Sequence, residues 1–240
     1  MTTSRRGLLV GAAGLAGVAW IWQRFGVQDV NLAFEPIRGL DGWQRGQAGA
    51  LGGSAGNATN AVFAGIDPDQ GDPLPAGRLC QTLYRSREPG TQIAVFTDFF
   101  CPNCRVMDPM LARRDDLAIT WHEFPIFGAS SEAMARALVA ADLQEGYLAF
   151  KTEIQKAPFR PGPQPLATAA RAAGLDADRL IAQMNGPAVE NRIQETRATA
   201  RRLGIPGTPS VVIGKTVVIG RLTHETLDQV LLQPLETCAP

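Results

Sequence analysis

The chain is poor in several things at once, and each shortage excludes something. Four cysteines in 240 residues are too few for a small scaffold held together by disulfides. The two histidines, His122 and His224, and the two outlying cysteines, Cys80 and Cys238, are isolated from one another, so no zinc-ligand spacing is present. Neither sign of charge is in excess: Lys+Arg and Asp+Glu number 23 each. With no basic stripe interleaved with aromatics, there is no electrostatic footprint of a nucleic-acid binder. Only one apolar run occurs, which excludes a polytopic membrane protein. The Gly-rich stretch 39–56 has no G-x-x-x-x-G-K pattern and no preceding strand, so it reads as loop and not as a nucleotide site. There is no internal repeat. What remains is ordinary for a folded protein, 45% hydrophobic and 19% charged. The length suits one large domain, or one domain with an insertion, and a sizeable core.

The apolar run stands at the N-terminus. Arg5-Arg6 leads into an uncharged stretch from Gly7 to Trp22, a basic region followed by an apolar one, as in an export signal. The wording Ser4-Arg5-Arg6-Gly7-Leu8-Leu9 resembles a twin-arginine signal. Two fates are open: cleavage near Gly17-Val18-Ala19, or retention as an anchor with Trp20, Trp22 and Arg24 at the interface. Either places the protein in the periplasm or another exported location, where disulfides persist.

Residues 1–25 are therefore read as export signal or anchor. Residues 26–90, with Gly, Pro and Asp clusters at 39–56 and 67–77, are read as an irregular extension. From 91 to 235 the pattern is regular. Gln92–Phe100 is a short apolar, β-branched and aromatic run, as in a buried central strand. A helix over Cys101–Asp115 and a strand over Leu117–Phe124 complete a βαβ unit. Helices follow, the first capped by Ser130 and the second at Tyr147–Lys156. After a loop at Pro158–Pro165 come Leu166–Ala173, Asp176–Asn185 and an amphipathic helix through Val189, Ile193, Thr196, Ala200 and Leu203. A hairpin, Ser210–Ile213 with Thr216–Ile219, and a last helix from His224 to Leu232 close the pattern.

The chemistry sits at Cys101-Pro102-Asn103-Cys104, where the strand meets a helix N-terminus. Free backbone N–H groups and the helix dipole there stabilise a thiolate on the first cysteine. Pro102 suits the first helical turn. The second cysteine, one turn on, can resolve a mixed disulfide, so the pair is a two-electron carrier. Other readings of the same residues are a zinc half-site, an inert bridge, and copper carriage by Cys101, Cys104 and Met107, since soft sulfur suits Cu(I). Downstream, Thr208-Pro209 at a strand start is a candidate cis peptide, against the commoner trans form. His122 reads as a structural histidine. Arg192, Arg197, Arg201 and Arg202 read as the solvated side of the long helix.

Four segments carry a resemblance: Phe96–Cys104 (FTDFFCPNC), Glu123–Gly128 (EFPIFG), Ser130–Ala137 (SSEAMARA) and Leu203–Ser210 (LGIPGTPS). In order and spacing they resemble the DsbA-like family of thioredoxin-fold thiol:disulfide oxidoreductases, over about residues 90–235. The resemblance implies an α/β thioredoxin fold with a helical domain inserted at about 128–200. It implies Cys101 as exposed nucleophile, Cys104 as buried resolving thiol, Pro209 as cis-proline, and Thr208 offering its backbone to an extended substrate. Pro102, Asn103 and Asp98 are the active-site neighbours. No organic or metal cofactor is implied, only the redox-active disulfide. The implied partners are extended or unfolded thiol proteins and a membrane or exported redox partner that recycles the pair. The direction is oxidant or isomerase, with a thioredoxin-like reductant as the alternative. Two departures stand out. Val95 occupies the place, six residues before Cys101, where family members often carry a buried acid, and Asp98 lies three before. Asn103 replaces the His of strongly oxidising members, which implies a weaker oxidant. With Cys101 and Cys104 as the redox pair, Cys80 and Cys238 are the candidates for a structural bridge; the other reading is two unpaired thiols.

Overall fold

The computed structural model describes residues 32–49, 51 and 74–238. The expected export signal or anchor at 1–25 lies outside them. Along the chain run β1 (Glu35–Pro36), β2 (Gln44–Gln47), α1 (Leu79–Leu83), β3 (Thr91–Thr97), α2 (Pro102–Leu111), β4 (Leu117–Glu123), α3 (Ala129–Asp142), α4 (Tyr147–Gln155), α5 (Pro163–Ala172), α6 (Ala177–Gln183), α7 (Pro187–Leu203), β5 (Ser210–Ile213), β6 (Thr216–Ile219) and α8 (His224–Leu231).

Among the described residues the strands form one mixed sheet in the order β1-β2-β6-β5-β3-β4. β3 and β4 are parallel, Thr91 facing Leu117 and Thr97 facing Glu123, and α2 is the crossover between them. β3 also pairs antiparallel with β5, and β5 with β6. β3 is thus central, and its five residues Ile93–Thr97 are all buried. Successive side chains of a strand point to opposite faces. Ile93 and Val95 accordingly pack with Met107 and Leu111 of α2 and Leu227 and Val230 of α8. Ala94 and Phe96 pack on the other face with Leu79, Leu83 and Leu203.

Helices α3–α7 are inserted between β4 and β5 and bury a core of their own, with Met134, Leu138, Phe150, Ile154, Leu166, Leu180, Val189 and Ile193. α7 spans both cores. Val189 and Ile193 belong to the insertion, while Ala200 and Leu203, two to three turns on, belong to the sheet. It stops at Gly204, which takes the left-handed conformation (φ 62°) that glycine adopts at no steric cost.

Several local expectations are corrected. The 26–90 stretch is not wholly irregular: β2 runs parallel to β6, Gln44 opposite Thr216 and Gln47 opposite Ile219. Leu40, Trp43, Leu74, Leu79 and Leu83 join the core on one face of the sheet. Ser130 is not a cap. α3 begins two residues earlier, at Ala129 with Gly128 as its cap, and the neighbouring Ser131 hydroxyl is spent on Asp98. α5 begins at Pro163, because Pro163 and Pro165 lie in the first turn where no N–H donor is required. α2 ends at Leu111, two residues past Pro109, whose ring removes a helical hydrogen bond. Three of the four arginines of α7 are half-buried and engaged rather than solvated. Arg192 pairs with Asp142 at 3.0 Å, Arg197 pairs with Glu132, and Arg202 donates to the Gly39 carbonyl at 3.2 Å.

Candidate active site

The turn between β3 and α2 is built on Asp98. Its Oδ1 accepts the Phe100 N–H at 2.8 Å. Its Oδ2 accepts the Ile126 N–H at 2.8 Å and the Ser131 hydroxyl. Its carbonyl accepts the Cys101 N–H at 3.1 Å. One buried carboxylate thus ties the turn to the loop after β4 and to α3. Burial raises its pKa, and the donors around it offset part of that rise.

Cys101 is the N-cap of α2, with Pro102 at the first helical position. Its sulfur accepts the Cys104 N–H at 3.3 Å, and its thiol donates to the Thr208 carbonyl at 3.5 Å. The hydrogen bond from the Cys104 side chain lowers the Cys101 pKa most. The Thr208 side chain and the N–H groups of the first turn add to it, and against desolvation they bring Cys101 down to about 7. Cys104 goes the other way. Burial first, then its bond to Cys101 and the negative charge of Asp108, push it well above the ordinary thiol range. Both thiols are reduced. One sulfur is poised to ionise near neutrality while its neighbour stays protonated, an asymmetry typical of functional pairs.

The Thr208–Pro209 bond is cis, and Thr208, 107 positions away in sequence, lies against Cys101. The Pro209 carbonyl accepts the Gly220 N–H at 2.9 Å, and the Ser210 hydroxyl donates to Gly207 at 2.9 Å, so the loop is held from both sides. One expectation is corrected here. Cys101 is not exposed: it and Cys104 are both 0% accessible. The Thr208 carbonyl faces the sulfur and not solvent, Thr208 and Pro209 are themselves buried, and Ile126 and Leu51 pack against Gly207.

Below Cys104 lies a buried charged cluster that sequence reasoning missed. Asp108 of α2 accepts the Thr97 hydroxyl at 2.6 Å and the Lys151 ammonium at 2.7 Å, both on Oδ2. Lys151 of α4 also donates to the Tyr147 hydroxyl at 2.9 Å and stands 4.0 Å from Glu123 at the end of β4. Tyr147 in turn donates to Glu123. The ammonium lies over the Trp121 ring, 4.8 Å from its centre. Burial pushes Glu123 up to about 8 against the pull of Lys151. Burial draws Lys151 down, but Asp108 and Glu123 outweigh it and the net shift is upward. One signal was available: Asp108 stands at i+4 from Cys104 and so shares its helix face. Nothing in sequence joins Lys151, on a distant helix, to that face.

The remaining candidates sit elsewhere. Met107 is buried in the core, where its sulfur accepts the Leu222 N–H at 3.5 Å. Cys80 and Cys238 are joined in a disulfide, Cα–Cα 5.4 Å, between α1 and the C-terminal tail. His122 is fully buried, stacked on Phe96 at 4.8 Å with Nε2 at 3.1 Å from the Leu83 carbonyl. Among the described residues, no group of three or more His, Cys, Asp or Glu is placed to hold a metal ion. Among the same residues, no helix is long and apolar enough to cross a membrane.

The model of the DSBA-like thioredoxin domain matches residues 92–232. No curated protein matches the chain. Among solved structures, a thioredoxin-like oxidoreductase from Silicibacter pomeroyi DSS-3 is 29% identical, with a TM-score of 0.54 over 61% of this chain and 87% of that one. The thiol-disulfide exchange protein alpha-DsbA2 from Wolbachia pipientis is 19% identical, with a TM-score of 0.56 over 73% and 95%. The catalytic domain of Proteus mirabilis ScsC is 21% identical, with a TM-score of 0.53 over 63% and 91%. The last two show the fold alone. The sheet, the inserted helices and the match over most of the regular part of the sequence agree, and the chain belongs to the DSBA-like thioredoxin family of thiol:disulfide oxidoreductases.

Proposed function

We propose that this protein is exported and exchanges disulfides with extended protein substrates through Cys101 and Cys104, as an oxidant or isomerase in protein folding. The carrying observation is Cys101 itself. It caps α2, takes the Cys104 N–H, faces the carbonyl before a cis-proline, and is drawn down to about 7. In the oxidising direction a substrate thiolate attacks Cys101 of the Cys101–Cys104 disulfide and Cys104 leaves with the electron pair. The substrate's second thiol then attacks the mixed disulfide and releases Cys101 as thiolate, so two electrons pass to the protein. No other cofactor takes part. A membrane or exported redox partner reoxidises the pair. Thr208, freed from Cys101, pairs its backbone with the substrate chain, which suits substrates of many sequences. The Cys80–Cys238 bridge supports an oxidising compartment.

Copper carriage by the same sulfurs is less well supported, because Met107 is committed to the core beside Leu222. The test is trapping. Cys104→Ser, incubated with a reduced unfolded protein and mild oxidant, should accumulate a mixed disulfide at Cys101, and Cys101→Ser should accumulate none. Equal trapping by both variants would remove Cys101 from the role of nucleophile.

A further inference from the structure

We propose that the stretch from β2 to Leu51 is an autoinhibitory strap: it seats Leu51 on the loop where a substrate chain docks, and the redox pair opens to proteins when Leu51 lifts away. The inference rests on the exchange reading above. β2 runs parallel to β6, from Gln44 opposite Thr216 to Gln47 opposite Ile219. The chain carries on in the same direction, and the Ala48 N–H donates to the Ile219 carbonyl at 2.9 Å. That course leads to the loop beside Cys101, because Gly220, the residue after β6, donates to the Pro209 carbonyl at 2.9 Å.

Backbone then meets backbone. A Cβ on Gly49 would clash with the Arg221 carbonyl oxygen, and one on Gly220 with the Gly49 carbonyl oxygen, so the close approach needs glycine on both sides. Two residues on, Leu51 lies over Gly207. A Cβ built on Gly207 would stand 3.8 Å from Leu51 Cδ1 and 3.7 Å from Ile126 Cδ1, ordinary packing distances. Gly207 directly precedes Thr208, whose carbonyl accepts the Cys101 thiol. Leu51 and Ile126 therefore stand on the stretch of backbone that the exchange reading gives to the substrate.

Cys101 is 0% accessible, and Thr208 and Pro209 are buried with it. A sulfur so enclosed meets no protein thiol until something moves. The loop is fastened on both sides, by Gly220 and by the Ser210 hydroxyl. Ile126 is pinned by its N–H on Asp98 Oδ2 at 2.8 Å. Leu51 is half-buried and held by side-chain packing, beyond the Ala48 ladder bond. It is the piece that costs least to lift. A leash this short from β2 keeps Leu51 at an effective concentration on the order of millimolar. A more dilute protein substrate therefore reacts in proportion to the fraction of molecules whose strap is open.

Iodoacetamide reads the opening on the reduced full chain, because the Cys101 thiolate must reach the reagent to displace iodide. Leu51→Ala removes the plug and should raise the rate of Cys101 alkylation about tenfold, the scale set by burying part of a leucine side chain. Gly49→Val removes the seat instead, by driving a side chain onto the Arg221 carbonyl, and should raise the rate at least as much. In both variants the pH midpoint of the rate should stay near 7, because the groups that acidify Cys101 are Cys104, Thr208 and the first turn of α2. Cys104 should stay unalkylated, read by mass. Trapping of an unfolded protein by Cys104→Ser should quicken by the same factor when either substitution is added. Wild-type rates in both variants overturn the inference and leave the exchange reading intact. So does a rise shared equally by Cys101 and Cys104, which is general unfolding and not a lifted strap. A Cys101 that stays inert through and above its pH midpoint, in wild type and in both variants, sinks the exchange reading and the strap with it.

Discussion

Two cysteines three residues apart ionise in opposite senses, and the cause is local. Cys101 takes a hydrogen bond from the Cys104 side chain and sits at the N-terminus of α2, whereas Cys104 is buried one turn inside, bonded to Cys101 and near the Asp108 carboxylate. The rate of Cys101 alkylation by iodoacetamide should therefore rise with a midpoint near pH 7, and Cys104 should stay unreactive through that range. A midpoint near 9, the unperturbed value, would contradict the geometry. Glu123 makes a stability prediction. Its folded value is about 8 against an ordinary 4.5, so its contribution is full below about 4.5 and is lost as pH rises through about 8. Through that window the unfolded chain has released a proton that the folded one still holds. Glu123→Gln keeps the shape and removes the titration. Its denaturation midpoint should fall less between pH 5 and pH 8 than that of wild type, and an unchanged slope would rule Glu123 out as the source. At this scale the sequence was legible for the place of Cys101 and Cys104 at the start of α2 and for the cis bond before Pro209, which stand in local patterns, though not for the burial of Cys101. It was silent on Lys151, which owes its place to packing between distant helices.

Elements with strong periodicity were readable, and those without it were not. β5 and β6 match the expected spans, Ser210–Ile213 and Thr216–Ile219, because their residues are apolar and β-branched. β1 and β2 (EP and QRGQ) have no such pattern. Backbone pairing, of β2 to β6 and of β1 to β2, makes them strands, and backbone pairing leaves no mark on side-chain choice. The end of α7 was legible through Gly204. An added Cβ there would meet both a φ of 62° and the Arg45 guanidinium, 2.5 Å away. Gly204→Ala should cost about 1 kcal/mol, or about 2–4 °C in Tm for a chain of this size. An unchanged Tm would show that the cap adjusts without strain.

For the molecule as a whole, the arrangement joins three parts that sequence shows only as separate. The extension extends the sheet through β2 and pins Cys80 to Cys238 at the far end of the chain, across 158 residues. Closing so long a loop stabilises by about 2–4 kcal/mol. Cys80→Ala with Cys238→Ala should lower the denaturation midpoint accordingly while leaving the Cys101 midpoint near pH 7. A drop in stability accompanied by loss of that midpoint would mean that the bridge shapes the site as well as the fold. The helical insertion reaches α2 through Lys151 on Asp108 and β4 through Tyr147 on Glu123.

The most direct test of the central claim is the redox equilibrium of Cys101–Cys104 in glutathione buffers, read by counting free thiols in a protein whose other two cysteines are bridged. The account predicts that two thiols interconvert reversibly with one disulfide. A potential toward the oxidising end, about −120 to −180 mV, is expected for a disulfide donor or isomerase. A reversible couple near −270 mV would keep the exchange chemistry and reverse its direction. Two thiols that never form a disulfide across the whole range would contradict the account.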